Sequence, residues 1–358
     1  MFDSLQSFIF RTVGLYIRAT MKNVLVLGST GSMGRQTLDI IRKYSHKFNV
    51  IGLSCHTNAR FFEKQMGEFK PEYGFCTFND GHFGLFQEAV SKTDIVVNAI
   101  VGSAGFPFTC EAVKQGKEIL LANKESLILG GSELLRVAGN NGARLIPLDS
   151  EHHAISQCLS LSSFRPKTVY LTCSGGPFYG KTEEELQYVT PEQAIRHPIW
   201  KMGQKISVDS ATLMNKGFEI IEAMYLFHLS PEQIKVKIHP QSLVHAMVEF
   251  EDGVTLAKIA PANMRIVIEE ALTGIFIYPP KVFDLNDGRY ELSDPVPSSL
   301  TQGIYLGYQA ALEGGNLPRK LCLANEQAVA RFLAGQIRFL EIYQSAACAL
   351  KSTTSAVF

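Results

Sequence analysis

The feature that most restricts the fold of this chain is a glycine turn between a buried strand and a helix. Residues 24–27 form an unbroken apolar run, glycine recurs at every third position across residues 28–34, and Leu38, Ile40 and Ile41 follow at helical spacing. Glycines let the backbone approach a pyrophosphate closely, and the helix N-terminus behind them supplies free N–H groups and a positive dipole. The pattern is G-x-x-G-x-x-G rather than the usual G-x-G-x-x-G. Its strand–turn–helix context nevertheless predicts a dinucleotide-binding fold.

The end of the second predicted strand indicates which dinucleotide binds. Residues 50–53 lead into a polar loop that contains His56 and Asn58 but no acid. NAD-binding folds usually place an acid about 20 residues after the glycines to hold the ribose 2′-hydroxyl. Because an acid would repel a 2′-phosphate, its absence together with His56 and Asn58 favours NADPH. An ordinary polar loop is the alternative interpretation.

Strands and helices then continue to alternate, which predicts a parallel, doubly wound sheet. Further strand runs lie at residues 74–77, 95–100 and 119–121. Asn123, Lys124 and Glu125 follow the last of these runs, at the end of a parallel sheet where ligands bind. Lys124 and Glu125 are either functional residues or a solvated, helix-capping pair.

An apolar run at residues 145–148 ends in two acids, Asp149 and Glu151, one residue apart. If the run is a strand, its period of two sends both carboxylates to the same side, about 6–7 Å apart. Carboxylates that close repel each other unless a cation or a proton lies between them, and oxygen ligands suit Mg2+ or Mn2+. The alternative is a helix start, with Ser150 as the N-cap and an acid in the first turn.

Two loops of the second half carry candidate substrate contacts. Residues 174–176 (Ser-Gly-Gly) follow a strand and offer a hydroxyl and backbone N–H groups to a phosphate, although a plain turn has the same pattern. Residues 196–204 place the only tryptophan, Trp200, between Pro198 and Gly203. A large aromatic in such a loop suits a lid that excludes water from a substrate, or equally a loop anchored by one buried side chain.

The run at residues 207–219 leads into an amphipathic helix and is rich in hydrogen-bond donors. Ser210, Asn215 and Lys216 suit an anionic substrate, while Glu219 stands among apolar neighbours. A buried carboxylate needs a cation or a partner. Glu219 is therefore a candidate third ligand for the acid pair, although the distance between these positions is not visible in the sequence.

Composition excludes several classes of protein. Lys plus Arg and Asp plus Glu both number 34, with no basic block, which disfavours a nucleic-acid binder. The seven cysteines are scattered without a C-x-x-C pair, which argues against a disulfide framework or a zinc site and favours a reducing, cytoplasmic compartment. No apolar run approaches the length of about 18–20 residues that a membrane span needs.

The chain divides into five predicted segments. Residues 1–20 are acid-poor like a transit peptide but short for one, and we interpret them as an extension. A hairpin with an Asp-Gly turn at residues 241–259, with a strand at 234–238, makes the second half look antiparallel, an α+β domain. The predicted limits are 1–20 for the extension, 21–148 for a Rossmann-like, doubly wound α/β domain, 149–278 for a catalytic α+β domain with a lid loop at 196–204, 279–303 for a linker and 304–358 for a helical domain.

Five motifs together resemble those of the 1-deoxy-D-xylulose 5-phosphate reductoisomerase family. They are GSTGSMG at residues 28–34, LANKES at 121–126, LDSEH at 148–152, SGGPF at 174–178 and HPIWKMGQKISVDSATLMNKGFE at 197–219. The resemblance runs from about Lys22 to about Lys351. It implies a homodimeric NADP-dependent oxidoreductase that uses NADPH and a divalent metal. Its phosphorylated sugar substrate, 1-deoxy-D-xylulose 5-phosphate, would become 2-C-methyl-D-erythritol 4-phosphate in non-mevalonate isoprenoid synthesis.

The resemblance also implies roles for individual residues. Asp149, Glu151 and Glu219 would bind one Mg2+ or Mn2+ and, with Lys124 and Lys216, form the catalytic set. The residues implied in NADPH binding are Thr30, Gly31, Ser32, Met33, His56, Asn58, Asn123, Glu125 and Gly203. The residues implied in substrate binding are Lys124, Ser150, Glu151, Ser174, His197, Trp200, Ser210, Asn215, Lys216 and Glu219.

Two departures from the family pattern bear on function. Many family members carry a lysine where this chain has Thr57, and its absence weakens the expected contact to the 2′-phosphate. The resemblance ends before residues 352–358, so we expect a shortened and less stable helical domain. The rival interpretations are a metal-independent NADP-dependent dehydrogenase for another substrate and a weakly active or inactive relative that binds NADPH without turnover.

Overall fold

The computed structural model describes residues 21–76, 83–200, 202–277 and 290–351. The predicted extension at 1–20, the first part of the predicted linker, Lys201 of the loop 196–204 and the segment 352–358 lie outside the described residues. No helix in the described ranges is both long and apolar enough to span a bilayer.

Six parallel strands form the N-terminal sheet, in the spatial order β3-β2-β1-β4-β5-β6. The strands are β1 (Lys22–Leu27), β2 (Phe48–Cys55), β3 (Tyr73–Cys76), β4 (Ile95–Asn98), β5 (Glu118–Leu121) and β6 (Arg144–Pro147). The strand order reverses between β1 and β4, and ligands of doubly wound sheets bind in the crevice at such a reversal. The predicted doubly wound parallel sheet is confirmed.

Helices cover this sheet, as the alternating sequence pattern requires. They are α1 (Ser32–Lys43), α2 (Ala59–Phe69), α3 (Phe83–Ser91), α4 (Phe106–Lys114) and α5 (Lys124–Asn141). Residues of β1 alternate between two apolar clusters, with Leu25 and Leu27 in one and Val24 and Val26 in the other. Both faces of β1 are therefore buried, which explains the unbroken apolar run at residues 24–27.

The glycine turn after β1 packs tightly against the loop that follows β4. Gly28 has a φ of 72°, and a Cβ atom on it would lie 2.7 Å from the carbonyl oxygen of Ala99. A Cβ atom on Gly34 would lie 2.3 Å from the carbonyl oxygen of Gly28. Glycine is therefore required at both positions, first for the backbone conformation and then for the approach of α1 to the turn.

A second sheet of four strands follows, in the order β10-β9-β7-β8. Its strands are β7 (Pro166–Cys173), β8 (Ile234–Ile238), β9 (Val244–Phe250) and β10 (Thr255–Ile259). β9 pairs antiparallel with both β7 and β10, and the predicted hairpin of β9 and β10 is confirmed. β8 pairs parallel with β7, so the expectation of an antiparallel arrangement is wrong for this strand. The chain between β7 and β8 passes through several helices, and a long crossover of this kind returns it in the same direction.

The other described helices belong to the central and C-terminal regions. They are α6 (Ser150–Ser160), α7 (Glu183–Leu186), α8 (Pro191–Ala194), α9 (Gln204–Ala211), α10 (Met214–Phe227), α11 (Met264–Thr273), α12 (Gln302–Glu313), α13 (Leu317–Leu333) and α14 (Glu341–Lys351). The break between α12 and α13 contains Gly314 and Gly315, as predicted. The C-terminal helices share one apolar core with the central sheet and α10. The helical region is thus part of the same packed unit as the central sheet.

α10 and α12 meet backbone to backbone at glycine positions. A Cβ atom on Gly217 of α10 would lie 2.3 Å from the carbonyl oxygen of Gly303, and one on Gly307 would lie 2.3 Å from the Cα atom of Gly217. These glycines lie inside helices, so close approach rather than a left-handed backbone is the reason for glycine here. The crossing holds α10, which carries candidate site residues, firmly against α12.

α11 packs on the first sheet. Val267 and Ile268 belong to the apolar cluster on the α1 side of that sheet, and a guanidinium nitrogen of Arg265 lies 2.5 Å from Asp39 Oδ2. The packing of α11 therefore joins the central region to the first sheet. The predicted domain limits stay a prediction.

Candidate active site

One pocket opens where the carboxyl ends of the first sheet face the central sheet. Its wall contains residues that follow β1, β5, β6 and β7, together with part of the loop 196–204 and the start of α10. All residues implied in substrate binding line it: Lys124, Ser150, Glu151, Ser174, His197, Trp200, Ser210, Asn215, Lys216 and Glu219. Ser32, Met33 and Gly203, which were implied in NADPH binding, line it as well. The structure thus brings the substrate set and part of the NADPH set together.

The carboxylates of Asp149, Glu151 and Glu219 converge in this pocket. One oxygen from each lies within 4.8 Å of the others. Asp149 is the N-cap residue of α6 but makes no side-chain capping hydrogen bond, Glu151 lies in the first turn of α6, and Glu219 belongs to α10. The segment is therefore a helix start and part of a carboxylate cluster at the same time. The strand interpretation of the acid pair is wrong because β6 ends at Pro147, and the N-cap is Asp149 rather than Ser150.

Two buried lysines bridge these carboxylates. The Nζ atom of Lys216 lies 2.8 Å from Glu151 Oε1 and also pairs with Glu219. The Nζ atom of Lys124 pairs with Asp149 and lies 3.3 Å from Glu219 Oε1. With all groups ionised, three carboxylates and two ammonium groups leave one negative charge in the cluster.

The excess of negative charge is visible in the pKa values. Burial, together with the negative charges of Glu151 and Asp149, raises the pKa of Glu219 to about 8, although Lys216 and Lys124 act in the opposite direction. Burial also disfavours the ionised form of Asp149, but the positive charge of Lys124 holds its pKa well below the usual range. The cluster is therefore short of one compensating cation. Because oxygen donors with a net negative charge are the ligands that Mg2+ and Mn2+ prefer, these residues fit a divalent ion.

The turn that leads into α10 orients Glu219. Leu213 has a φ of 54°, in the left-handed region, which costs a non-glycine residue about 1–2 kcal/mol. The Asn215 amide donates to Glu219 Oε1 at 2.5 Å, and its carbonyl oxygen accepts from Lys124 Nζ at 2.7 Å. Backbone strain of this kind is typical of functional sites, where the surrounding contacts impose it.

A second group of titratable side chains lies directly behind the carboxylates. His152 Nε2 donates to the backbone carbonyl of Glu219 at 2.9 Å, and His152 Nδ1 lies 3.4 Å from Glu222 Oε2. Burial raises the pKa of Glu222 to about 7. Ligand atoms of Asp149, His152 and Glu222 also lie within 4.8 Å of one another. His152 and Glu222 do not line the pocket, so they support Glu219 from behind.

Sequence analysis missed Glu222. Its signal is a second glutamate three positions after Glu219 on an otherwise apolar helix, which places both on one face. The motif containing His152 was recognised, but nothing local in it distinguishes a supporting histidine from a ligand.

Ser174 and His197 form another part of the pocket. The ring Nδ1 of His197 accepts the backbone N–H groups of Ile199 and Trp200 at 3.2 and 2.9 Å. The neutral ring therefore carries its proton on Nε2, which lies 3.3 Å from Ser174 Oγ. Burial lowers the pKa of His197, which favours this neutral form. A hydroxyl and an imidazole N–H are thus held side by side, as donors to a phosphate oxygen.

Trp200 forms part of the pocket wall beside a histidine that the sequence did not identify. The ring centroids of Trp200 and His245 are 6.3 Å apart, and both rings line the pocket. Ser242 lines it too and has a φ of 50°, again in the left-handed region. Neither His245 nor Ser242 stands in a recognisable motif. Trp200 lines the pocket, and its role as a lid stays a prediction.

The other residues implied in NADPH binding do not line this pocket. They are Thr30, Gly31, His56, Asn58, Asn123 and Glu125. Thr30 lies in the glycine turn, and Gly31 is the N-cap residue of α1. His56 follows β2, and Asn58 is the N-cap residue of α2. These four residues belong to the ends of β1 and β2, on one side of the strand-order reversal.

Asn123 and Glu125 stand on the other side of the reversal, after β5. Asn123 is the buried N-cap residue of α5 and accepts the Ser126 N–H at 3.0 Å. Glu125 lies in the first turn of α5 and pairs with Lys205. Burial disfavours the ionised form of Glu125, but Lys205 lowers its pKa. The residues implied in NADPH binding therefore flank the crevice on both sides.

The fold and the pocket together define the class of protein. A doubly wound sheet with a glycine turn at its strand-order reversal, next to clustered carboxylates, defines a dinucleotide-dependent oxidoreductase with a divalent metal site. Family models for 1-deoxy-D-xylulose 5-phosphate reductoisomerase match residues 24–82 and 76–131. Models for its C-terminal domain match residues 145–227 and 259–357. The chain belongs to the 1-deoxy-D-xylulose 5-phosphate reductoisomerase family.

Individual relatives support this assignment. The 1-deoxy-D-xylulose 5-phosphate reductoisomerase of Thermodesulfovibrio yellowstonii is 42% identical, over 90% of this chain and 90% of the relative. That of Clostridium novyi is 40% identical over the same shares. A solved DOX-P reductoisomerase in complex with NADPH, fosmidomycin and magnesium has a TM-score of 0.85 and 34% identity, covering 93% of this chain and 90% of that chain. The Zymomonas mobilis enzyme in complex with NADPH has a TM-score of 0.81 and 32% identity, covering 94% and 93%.

The comparisons confirm the predicted family and fold class and correct one boundary. The C-terminal match extends to residue 357, so the expectation that the resemblance ends at about Lys351 is wrong. The expected shortening and lower stability of the helical region stay predictions.

Proposed function

We propose that this protein converts 1-deoxy-D-xylulose 5-phosphate to 2-C-methyl-D-erythritol 4-phosphate, with NADPH and Mg2+ or Mn2+. The observation that carries the proposal is the cluster of Asp149, Glu151 and Glu219, bridged by Lys124 and Lys216, beside a dinucleotide-binding crevice. A simple dehydrogenase needs only the crevice. A reaction that rearranges a carbon skeleton before reduction also needs charge stabilisation at the substrate oxygens, which this cluster provides.

The lysines serve the rearrangement. Burial alone would lower the pKa values of Lys124 and Lys216, but the neighbouring carboxylates raise both, so the two side chains stay charged. Negative charge develops on the substrate oxygens as a carbon–carbon bond breaks and another forms. Fixed ammonium groups in a buried site stabilise that charge without reorganisation. A divalent ion held by Asp149, Glu151 and Glu219 would supply Lewis acidity to the same oxygens.

The phosphate group of the substrate is assigned to the donors at the other part of the pocket. Ser174, His197 and Ser210 line it, and His197 presents Nε2–H rather than an acceptor. Trp200, whose backbone N–H donates to Nδ1 of the same imidazole, is assigned to the lid over the substrate. We assign Asn215 to the substrate hydroxyls and Ser150 to the pocket floor, where its hydroxyl donates to Glu151 Oε2 at 2.6 Å. Covering the substrate excludes water from the rearrangement.

NADPH supplies the hydride that reduces the rearranged aldehyde. Thr30, Gly31, Ser32 and Met33, at the start of α1, are assigned to the pyrophosphate, because free N–H groups and the helix dipole meet there. His56 and Asn58, after β2, are assigned to the adenosine 2′-phosphate. Asn123, Glu125 and Gly203 are assigned to the nicotinamide half.

The test is the loss of NADPH absorbance when 1-deoxy-D-xylulose 5-phosphate and Mn2+ are added, with the product identified by mass spectrometry. Glu219→Gln is the control, because it keeps the size of the side chain and removes one anionic ligand. We expect oxidation of NADPH by the wild type and a loss of at least about a hundredfold in Glu219→Gln. The proposal would be contradicted if the wild type formed no 2-C-methyl-D-erythritol 4-phosphate.

The same assay separates the rival interpretations. A metal-independent dehydrogenase would retain its rate in EDTA, and an inactive relative would bind NADPH without oxidising it under any condition. The inactive alternative is not favoured, because the carboxylates and both lysines of the cluster are present and in contact.

The family resemblance also predicts a homodimer, and the scattered cysteines predict a reducing, cytoplasmic compartment. Size-exclusion chromatography with light scattering measures the first property, and cell fractionation measures the second.

A further inference from the structure

The loop after β4 is held by a helix from the C-terminal region. The Ser103 N–H donates to both carboxylate oxygens of Glu326, at 3.1 and 2.9 Å. Glu326 belongs to α13. Gly102 has a φ of 73°, and a Cβ atom on it would lie 2.3 Å from Glu326 Oε1. Because hydrogen bonds to an ionised acceptor are roughly twice as strong as neutral ones, Glu326 fixes the position of this backbone segment.

The preceding residue of α13 begins a second chain of contacts. Asn325 is fully buried, and its amide donates to Asp209 Oδ1 at 2.7 Å. Asp209 Oδ2 lies 2.8 Å from the Nζ atom of Lys205, which also pairs with Glu125. Burial alone would lower the pKa of Lys205, but Asp209 and Glu125 raise it, so the lysine stays charged between the two carboxylates.

This second chain of contacts ends on the same loop. The side-chain nitrogen of Asn123 donates to the carbonyl oxygens of Ile100 and Gly102, at 2.7 and 2.8 Å. The same nitrogen lies 3.2 Å from Glu125 Oε2. Residues 100–103 are therefore held from two sides, by contacts that start at adjacent residues of one helix.

The loop begins at the strand-order reversal, where a doubly wound sheet binds its dinucleotide. β4 lies beside β1 at the strand-order reversal, and Gly28 of the glycine turn packs against Ala99. In doubly wound sheets one half of the dinucleotide lies on each side of this reversal. With the adenosine half assigned to the end of β2, the loop after β4 faces the nicotinamide half.

We propose that Glu326 and Asn325 are positioning residues for the nicotinamide half of NADPH, acting through residues 100–103 and Asn123. This inference rests on the proposed function. It gives the C-terminal helices a role in cofactor binding. The residues that the family motifs imply in NADPH binding all lie outside these helices.

The test compares Glu326→Ala, Glu326→Gln and a matched control, Glu313→Ala, an exposed acid at the end of α12. NADPH affinity is measured on the full-length protein by calorimetry, and KM is measured separately for NADPH and for the sugar phosphate. Loss of a charge-assisted hydrogen bond predicts at least about a tenfold weaker NADPH affinity in Glu326→Ala, with KM for the sugar phosphate changed by less than about threefold. The amide oxygen of Glu326→Gln still accepts from Ser103, so we expect a loss of only about threefold there.

The outcomes distinguish this inference from the proposed function. Unchanged NADPH affinity in Glu326→Ala, or equal losses for NADPH and the sugar phosphate, would overturn it while the wild-type activity stands. If Glu326→Ala does not fold, Glu326→Gln decides: a loss confined to NADPH supports the inference, and no loss or an equal loss for both ligands overturns it. Absence of NADPH binding by the wild type would instead remove the proposed function, and the inference with it.

Discussion

The Nζ atom of Lys216 lies 2.8 Å from Glu151 Oε1, at the edge of the carboxylate cluster. The lysine neutralises part of the negative charge that a divalent ion would otherwise meet. Glu219, at the centre of the cluster, still has a pKa raised to about 8, first by burial and then by the charge of Glu151. The two lysines therefore compensate most of the negative charge of the cluster. Glu219 is the carboxyl that remains to be deprotonated when a metal ion binds.

This raised pKa predicts that Mn2+ binding depends on pH. Below about pH 8 Glu219 holds a proton that a metal ion must displace, so the apparent affinity rises up to about tenfold per pH unit and levels off above that pH. Titration of Mn2+ monitored by electron paramagnetic resonance, at several values from about pH 6.5 to about pH 9, measures it. Glu219→Gln is the control and should bind weakly with a flatter profile. A wild-type affinity that is constant over this range would contradict the prediction.

His197 is predicted to act through two separate atoms. Its Nδ1 accepts two backbone N–H groups of the Trp200 loop, and its Nε2–H faces Ser174. In His197→Asn the amide oxygen can replace Nδ1, but no donor reaches Ser174. We expect His197→Asn to raise KM for the sugar phosphate about tenfold and to leave the emission of Trp200, the only tryptophan, nearly unchanged.

His197→Ala is the companion variant, because it removes both atoms. It should raise KM and also shift the Trp200 emission to longer wavelength as the loop loses its anchor. Equal emission spectra for His197→Ala and the wild type would show that Nδ1 does not hold the loop.

Glu270 is predicted to stabilise the protein at neutral pH and to make that stability sensitive to acid. Burial opposes its ionised form, but hydrogen bonds from His153 and the Ile277 N–H, with the charge of Lys258, lower its pKa to about 2. A carboxyl with a lowered pKa contributes stability above its unfolded value of about 4.5, and that contribution is lost as the pH falls from about 4.5 toward 2. The difference corresponds to about 3 kcal/mol. Glu270→Gln should therefore be less stable at neutral pH and should lose less stability on acidification.

Urea midpoints from about pH 3 to about pH 7 measure this difference, with the exposed Glu313→Gln as the control. If Glu270→Gln and the wild type lose stability in parallel below about pH 4.5, Glu270 does not carry the acid sensitivity.

Thr57 is predicted to limit the affinity for NADPH. It lies exposed in the loop between β2 and α2, next to the residues assigned to the 2′-phosphate. Thr57→Lys adds a cation there and should lower KM for NADPH about three- to tenfold, an effect that salt weakens. NADH has no 2′-phosphate and serves as the matched cofactor, and Thr57→Gln controls for side-chain length. An equal gain with NADH would rule out a contact to the 2′-phosphate.

The parts of the fold that sequence reasoning recovered are local. The strand, glycine turn and helix at residues 22–43 are contiguous, and their periodicities are set by backbone geometry, so the pattern predicts them directly. The parallel pairing of β8 with β7 was not recovered, because the direction of a strand depends on the path of the long connection before it. The packing of α11 on the first sheet was not predicted either, because it depends on contacts between residues that are far apart in the sequence.

The site divides in the same way. Asp149 and Glu151 are neighbours and were visible as a pair. Glu219 was a candidate third ligand because of its apolar neighbours, but its distance from the pair was not visible and only the family resemblance implied that the three bind one ion. Glu222 and Glu326 were not identified, because each acts through a backbone group or a histidine that lies far away in the sequence. A contact between two residues that are far apart in the sequence produces no local motif from which it could be predicted.

The glycine crossing of α10 and α12 has a mechanical consequence. Because the two helices touch through main-chain atoms at Gly217, Gly303 and Gly307, no compressible side chain separates them. A displacement of α12 therefore moves α10 with it, and with α10 the side chain of Glu219, two residues beyond Gly217. Substitutions that loosen the C-terminal helices, even far from any ligand, should therefore lower the affinity for the divalent ion before they cause unfolding.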